Sequence, residues 1–142
     1  MFTSARNQLS GKVSAIQRGA VNDEVAITLP DGQAIVAILT HSSTESLGLK
    51  ACSDAFALIK ASSVILLTDT AGIRLSTRNQ LTGTVTEVVK GAVNSEVILT
   101  LGSGTVITAI ITNDSVQSLG LAAGKTATAA FKASSVIVGV KV

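Results

Sequence analysis

The sequence lacks most of the side chains that catalysis, metal binding and base stacking require. Its 142 residues include one cysteine, one histidine, one proline and three phenylalanines, with no tyrosine or tryptophan. A single cysteine cannot form an internal disulfide, and one cysteine with one histidine cannot build a metal cluster. Proteins that bind single-stranded nucleic acid stack bases on aromatic rings, which are scarce here. We therefore expect no disulfide, no metal held by side chains and no nucleic-acid partner.

Charged residues are also sparse. They make up 14% of the chain, the net charge is +2 and the eleven basic residues are scattered. So mild a bias suits small anions better than nucleic acid. Hydrophobic residues make up 46% and the mean hydropathy is +0.54, so apolar surface is left over for burial between subunits. We therefore expect an oligomer.

Long apolar segments are missing as well. The longest uncharged stretch, residues 97–113, is broken by Gly102-Ser103-Gly104 and is rich in β-branched residues, which favours a hairpin over a membrane span. The N-terminus has neither the basic start nor the apolar segment of a signal peptide. These features predict a cytoplasmic protein that is not inserted in a membrane.

What the chain does contain is a tandem repeat. Arg6-Asn7-Gln8-Leu9 returns as Arg78-Asn79-Gln80-Leu81, and an offset of 72 aligns the two halves without a gap. The repeat predicts two domains, residues 1–70 and 71–142, joined by a short linker within 69–75. Each unit is close to the lower size limit for an independent core, so each is expected to need a partner.

Alternating apolar residues and turn signals predict an all-β fold of two tandem OB-like five-stranded barrels, each with one short helix. In the first copy we predict strands at 9–18, 24–29, 34–40, 55–59 and 64–67, with a hairpin turn at Pro30-Asp31-Gly32. The third strand is nearly all apolar, which predicts a central strand or a subunit contact. Ser42 with Glu45 has capping-box spacing for the helix, and Asp114 with Gln117 has the matching place in the second copy.

The side chains that return in both copies are mainly hydrogen-bond donors. They are Ser4 and Ser76, Arg6 and Arg78, Thr40 and Thr112, Ser43 and Ser115, and Lys60 and Lys132. Thr40 and Ser43 flank the predicted helix start, where free N–H groups favour an anion, so the set predicts an oxyanion site. The alternative is that these residues are solvated charges and helix caps.

The reactive side chains of the first copy are not repeated in the second. His41 becomes Asn113 and Cys52 becomes Gly124, so neither is expected to serve as ligand or nucleophile. Glu24 and Glu96 are the only carboxylates present in both copies, and we interpret them as strand-surface charges. No catalytic residues are predicted, and the protein is expected not to be an enzyme.

Several long segments, present in both copies, resemble the molbindin (Mop) domain. In the first copy they are Thr3-Ser4-Ala5-Arg6-Asn7-Gln8-Leu9, Gly19-Ala20-Val21-Asn22-Asp23-Glu24-Val25, residues 40–49 and Lys60-Ala61-Ser62-Ser63-Val64. A tandem pair is similar to the di-Mop cytoplasmic molybdate-binding proteins. The resemblance implies an OB-like barrel per repeat, a homotrimer, and molybdate or tungstate bound between domains for intracellular storage or homeostasis, with no organic cofactor.

The resemblance also implies the ligands. Thr40, Ser43 and Lys60 would act from one domain with Ser76 and Arg78, or with Ser4 and Arg6, from a neighbour, and Thr112, Ser115 and Lys132 would do likewise. A second class of anion site is implied at Gly19, Val21, Asn22, Gly91, Val93 and Asn94, although a tight turn would explain these residues equally well. The competing function is a structural or regulatory OB-like protein-interaction module without a bound anion.

Overall fold

The computed structural model describes residues 3–142, which form ten β-strands, two short α-helices and two 3₁₀ turns. The first repeat contributes β1 (Asn7–Gln17), β2 (Asn22–Thr28), β3 (Ala34–Thr40), α1 (His41–Ser46), β4 (Asp54–Ile59) and β5 (Ile65–Leu67). The second contributes β6 (Asn79–Lys90), β7 (Asn94–Thr100), β8 (Val106–Thr112), α2 (Asn113–Leu119), β9 (Thr126–Phe131) and β10 (Ile137–Gly139). The 3₁₀ turns, Ala61–Ser63 and Ala133–Ser135, precede β5 and β10. Neither helix in 3–142 has the length and apolar character needed to cross a bilayer.

The predicted all-β fold is confirmed. Each of the five strands predicted in the first repeat overlaps an observed strand, and no end differs by more than two residues. β2 shows the alternation that identified them, because Val25 and Ile27 are fully buried while Glu24 and Ala26 are only partly covered. Apolar residues from both repeats pack into one continuous core.

The two sheets do not coincide with the two repeats. Their strand orders are β10-β4-β1-β2-β3 and β5-β9-β6-β7-β8, so each repeat gives its last strand to the sheet of the other. Val138 pairs with Ala57, and Leu66 pairs with Ala129. The boundaries 1–70 and 71–142 stay a prediction, and residues 1 and 2 of the first domain lie outside the described chain.

The prediction of a central third strand is wrong. β3 and β8 lie at the ends of their sheets, and only one face of β3 is buried, through Ile35 and Ala37, whereas Ile38 is 39% exposed. β3 is apolar although it is an edge strand, because its edge is covered by the other repeat and not by solvent. The turn Ala133–Ser135 packs on β3, and Ala61–Ser63 packs on β8.

Two buried asparagines satisfy the backbone of these edges. Asn79 accepts a hydrogen bond from the Val36 N–H and donates one to the Val36 carbonyl, both at 2.8 Å. Asn7 makes the same pair of bonds with Thr108, at 2.7 and 2.8 Å. A carboxamide offers one donor and one acceptor side by side, as a neighbouring strand would. This contact between repeats explains why the asparagine returns in both copies.

The close contact between the exchanged strand β10 and its neighbour β4 can be tested by substitution. A Cβ on Gly139 would lie 2.3 Å from the ring of Phe56, its partner across β10 and β4. At the matching place in the other sheet, Leu67 pairs with Thr128. We expect Gly139→Leu to lower the free energy of unfolding by about 1–3 kcal/mol through overpacking, measured by chemical denaturation.

The control for this experiment comes from the second sheet. Adding Phe56→Thr to Gly139→Leu recreates the Leu67–Thr128 pair and should recover much of the loss, because the ring that clashes is gone. If Gly139→Leu unfolds at the same denaturant concentration as the parent chain, the close contact does not limit packing.

Candidate functional site

The two helix starts carry matching pairs of hydroxyl groups. Thr40 Oγ1 accepts a hydrogen bond from the Ser43 N–H at 3.1 Å and donates to Ser43 Oγ at 2.8 Å. Thr112 and Ser115 make the same two bonds at the same distances. Thr40 and Thr112 are exposed residues, so both helix starts lie at the surface.

The predicted caps at Ser42 and Asp114 are wrong. Thr40 and Thr112 are the N-caps because their extended backbone lets the side chain turn back to an N–H group of the first turn. Ser42 and Asp114 already lie inside the helices. The same threonines that cap the helices are therefore candidate ligands.

The repeated arginines and lysines lie together. Asn7 pairs with Ile59 in the β1–β4 ladder, so Arg6 and Lys60, the next residues outward, emerge at the same end of these strands. The pairing of Asn79 with Phe131 has the same result for Arg78 and Lys132 in the second repeat. All four side chains are exposed, as are the predicted donors Ser4 and Ser76 in the segments before β1 and β6.

Each Arg–Lys pair faces the other repeat. The turn that follows Lys60 packs on β8, the strand that ends at Thr112. The turn that follows Lys132 packs on β3, which ends at Thr40. The turn after Lys60 thus packs on the second repeat's strand and not on β3 of its own repeat. This arrangement does not favour the expected grouping of Lys60 with Thr40 and Ser43 of the same domain, a departure that the sequence did not reveal. The strand ladders and edge contacts that produce it cannot be read from local periodicity.

Ion pairs join the same parts of the two repeats. Arg6 pairs with Glu96, with 3.1 Å between Nη2 and Oε2, and Arg78 pairs with Glu24, with 2.5 Å between Nη1 and Oε1. The hydrogen bond from Arg6 is the main reason why the pKa of Glu96 lies below its ordinary value. Sequence reasoning treated both glutamates as surface charges and missed these partners.

The glutamates lie on the same sheet faces as the capping threonines. Glu96 is directly opposite Ile110, and Thr112 is two residues further along β8. Glu24 is opposite Ile38, and Thr40 is two residues further along β3. Residues two apart on a strand point to the same face, about 7 Å apart. Each Glu–Arg pair therefore lies on the face that leads to a helix start.

The segment proposed for the second class of site is a tight turn in the first repeat. The Gly19 N–H donates to Asp23 Oδ1 at 3.0 Å, and the Val21 carbonyl accepts from the His41 N–H at 2.8 Å. A Cβ on Gly19 would come within 2.3 Å of the Asn22 carbonyl oxygen, so the turn itself requires glycine.

The second repeat forms a corresponding turn, in which a backbone carbonyl takes the place of the Asp23 carboxylate as the acceptor. The Gly91 N–H donates to the Asn94 carbonyl at 2.9 Å, and the Val93 carbonyl accepts from the Asn113 N–H at 2.9 Å. Val21 and Val93 are 73% and 70% exposed at the tips of the two turns. The turn accounts for the glycines, and an anion-binding role for these segments stays a prediction.

A buried carboxylate braces the first of these turns. The Asp23 side chain has no exposed surface, and His41 Nδ1 lies 3.1 Å from it, while His41 Nε2 lies 3.1 Å from Glu45. Burial raises the pKa of Asp23, but hydrogen bonds from Gly19, Thr44 and His41 outweigh it and hold that pKa below the ordinary 3.8. In the second repeat an uncharged pair, Ser95 and Asn113, replaces Asp23 and His41, with 2.5 Å between Ser95 Oγ and Asn113 Oδ1.

Each of the two repeats matches a known protein family. The family model described as the TOBE domain matches the chain twice, at residues 3–66 and 75–138. The chain is 51% identical over 141 residues to the molybdenum transport protein ModE of Herbaspirillum seropedicae, covering 99% of this chain and 52% of the relative. It is 47% identical over 137 residues to the molybdenum-pterin-binding protein MopA of Rhodobacter capsulatus, covering 96% and 52%. The chain thus spans about half the length of the curated relatives it matches.

A solved structure matches over the whole chain. It is the cytoplasmic molybdate-binding protein ModG in a form with molybdate bound, with a TM-score of 0.97 and 50% sequence identity. The match covers 99% of this chain and 100% of that one.

The buried Asp23 predicts a loss of stability in acid. Its pKa is lowered on folding, so its stabilising contribution is complete above the ordinary value of 3.8 and is lost as the pH falls below it. The double variant Asp23→Ser/His41→Asn carries the uncharged pair of the second repeat. Its melting temperature should fall less than that of the parent chain between about pH 5 and pH 3, measured by circular dichroism. Equal losses in both proteins would show that Asp23 is not a source of acid sensitivity.

Proposed function

This chain belongs to the TOBE-domain family, and on that premise we propose that it binds molybdate as an intact oxyanion and catalyses no reaction. The observation that carries the proposal is the match over the whole chain to ModG, which was solved with molybdate bound. A structural or regulatory module without an anion is not favoured, since the relatives that match at high identity are named for molybdenum. Tungstate has nearly the same size and charge as molybdate and is expected to compete.

The proposed sites lie where the two repeats meet. One set combines Ser4, Arg6 and Lys60 of the first repeat with Thr112 and Ser115 of the second. The other combines Ser76, Arg78 and Lys132 of the second repeat with Thr40 and Ser43 of the first. Ladder registers and the packing of the 3₁₀ turns support this grouping. Hydroxyl, guanidinium and ammonium donors suit a dianion that accepts hydrogen bonds at every oxygen.

We assign the protein to storage and homeostasis of molybdate in the cytoplasm. The donor set contains hydroxyls and cations but no activated nucleophile, which favours reversible binding over chemistry. The location is proposed by analogy with ModG, which is described as cytoplasmic. Gly19, Val21, Asn22, Gly91, Val93 and Asn94 are retained in the proposal as a second class of anion site.

We also propose that the chain assembles into a homotrimer. Apolar side chains are exposed at matching positions of the two repeats, in the turns at Val21 and Val93 and on the exchanged strands at Ile65 and Ile137. All four are more than 60% exposed, and paired apolar surface of this kind is typical of contacts between subunits.

Molybdate should raise the melting temperature of the chain, because a ligand that binds only the native state stabilises it by mass action. Thermal unfolding with and without sodium molybdate measures this effect.

Lys60→Ala and Lys132→Ala should each weaken binding roughly tenfold to a hundredfold at one set of sites only, the usual effect of losing one charge-assisted hydrogen bond. Isothermal titration with molybdate measures the loss of affinity.

The control is Lys50→Ala, which removes the same charge from an exposed residue between α1 and β4 and should bind as the parent chain does. No thermal shift with molybdate would reject the proposed function. Unchanged titrations for both Lys60→Ala and Lys132→Ala would remove these lysines from the sites.

The trimer is tested by sedimentation equilibrium. We expect a particle of three times the chain mass of 14.3 kDa at micromolar concentration. Val21→Ser combined with Val93→Ser should weaken it, because less apolar surface is buried, while the fold is retained since both residues lie at exposed turn tips. A monomer that binds molybdate fully would contradict the assembly and leave the anion site intact.

A further inference from the structure

Each arginine of the proposed sites is held by a carboxylate of the opposite repeat. Arg6 pairs with Glu96 on β7, and Arg78 pairs with Glu24 on β2. These are the only two acidic positions that match between the repeats, although the chain has nine acidic residues. All the other acids have been replaced in one repeat or the other, so the matching pair calls for a physical reason.

Stability is not a sufficient reason. The side chains of Arg6 and Glu96 are 45% and 34% exposed, and those of Arg78 and Glu24 are 60% and 33% exposed. Ion pairs with this much solvent contact contribute little to folding, because water screens the charges and two long side chains lose freedom. The asparagine contacts between the repeats are buried and join the same parts of the molecule.

The geometry of the Arg6 pair leaves donors free. Glu96 takes one N–H from Nη1 and one from Nη2. A guanidinium carries five N–H groups, so three remain, including the Nε–H at the other edge of the group. That edge can still bind two oxygens of a tetrahedral anion side by side, which is the arrangement that arginine favours.

The carboxylate also fixes where this free edge lies. Glu96 projects from the same face of β7 and β8 as Thr112, and Glu24 from the same face as Thr40. Without its glutamate, the arginine side chain could rotate about several bonds and point away from this face. An arginine that is already in place loses less freedom when the anion binds.

We infer that Glu96 and Glu24 are positioning residues that hold Arg6 and Arg78 ready for the anion, an inference that rests on the function proposed above. Its consequence is opposite to that of simple electrostatics. A carboxylate close to a dianion repels it, so on charge alone the removal of Glu96 would strengthen binding. If Glu96 instead positions Arg6, removing Glu96 should weaken binding.

The test is titration of the folded chain with sodium molybdate. Glu96→Gln has nearly the same shape without the charge, and it should lower the affinity roughly tenfold at the sites that contain Arg6, the size expected when one charge-assisted hydrogen bond is weakened. Glu24→Gln should have the same effect at the sites that contain Arg78, and it serves as the second variant if Glu96→Gln folds poorly. Unfolding without molybdate checks the fold of each variant.

Two controls separate positioning from other effects. Asp54→Asn removes an acid from another exposed ion pair, with Lys12, and raises the net charge by the same amount, so it should leave molybdate binding unchanged. In the Arg6→Ala background, Glu96→Gln should no longer weaken binding, because a positioning residue acts only through the group that it holds and only the charge repulsion is left to remove.

Each outcome decides between models. A parent chain that does not bind molybdate rejects the proposed function itself. If the parent chain binds and Glu96→Gln binds equally or more tightly, the glutamate competes with the anion or is indifferent to it, and the inference is wrong. Equal losses with and without Arg6 would also overturn it, because the glutamate would then act through another part of the fold.

Discussion

The exchange of the last strand between the repeats is the constraint on which the rest of the structure depends. β4 has β1 on one side and needs a neighbour on the other, and this neighbour is β10 of the opposite repeat. Once β10 and β5 have crossed over, the turns that precede them must pack on β3 and β8. These contacts place the Arg–Lys pair of one repeat beside the strand that leads to the helix start of the other. The proposed site between the repeats would thus be a geometric consequence of how the sheets are completed.

The duplication has diverged in coupled pairs. Asp23 with His41 in the first repeat corresponds to Ser95 with Asn113 in the second, and both pairs close the same hydrogen-bonded corner. Phe56 with Gly139 corresponds to Thr128 with Leu67, and both pairs fill the same place between strands. In each case one member changed together with its contact, which is expected because a buried polar atom needs a partner and a packed core tolerates only compensated changes of volume.

Local pattern predicted the strands, the hairpin turn and the position of the helices, because periodicity and turn chemistry act over a few residues. It could not predict the exchange, since Lys60-Ala61-Ser62-Ser63-Val64-Ile65 and Lys132-Ala133-Ser134-Ser135-Val136-Ile137 have the same residues and would pair with either sheet. The error at β3 has the same origin, because an apolar edge covered by another repeat reads like a central strand. Repetition predicted the ten donors, and their role in a site stays a prediction. Glu24 and Glu96 also repeat, but they were interpreted as surface charges because the sequence does not show their partners, which are 54 and 90 residues away in the chain.

An anion bound between the two repeats would hold them together, as the buried asparagines do. Asn7 ties the start of β1 to β8 from inside the molecule, and the proposed site spans the same two elements from the surface, through Arg6 and Thr112. A ligand bound there favours the docked arrangement of the repeats over any looser one. Linkage makes this effect reciprocal, because the free energy by which the bound anion favours docking equals the free energy by which docking favours the anion. The affinity for an anion bound there would therefore depend on the core contacts that hold the repeats together, and substitutions far from the donors are expected to lower it where they allow a looser arrangement to be populated.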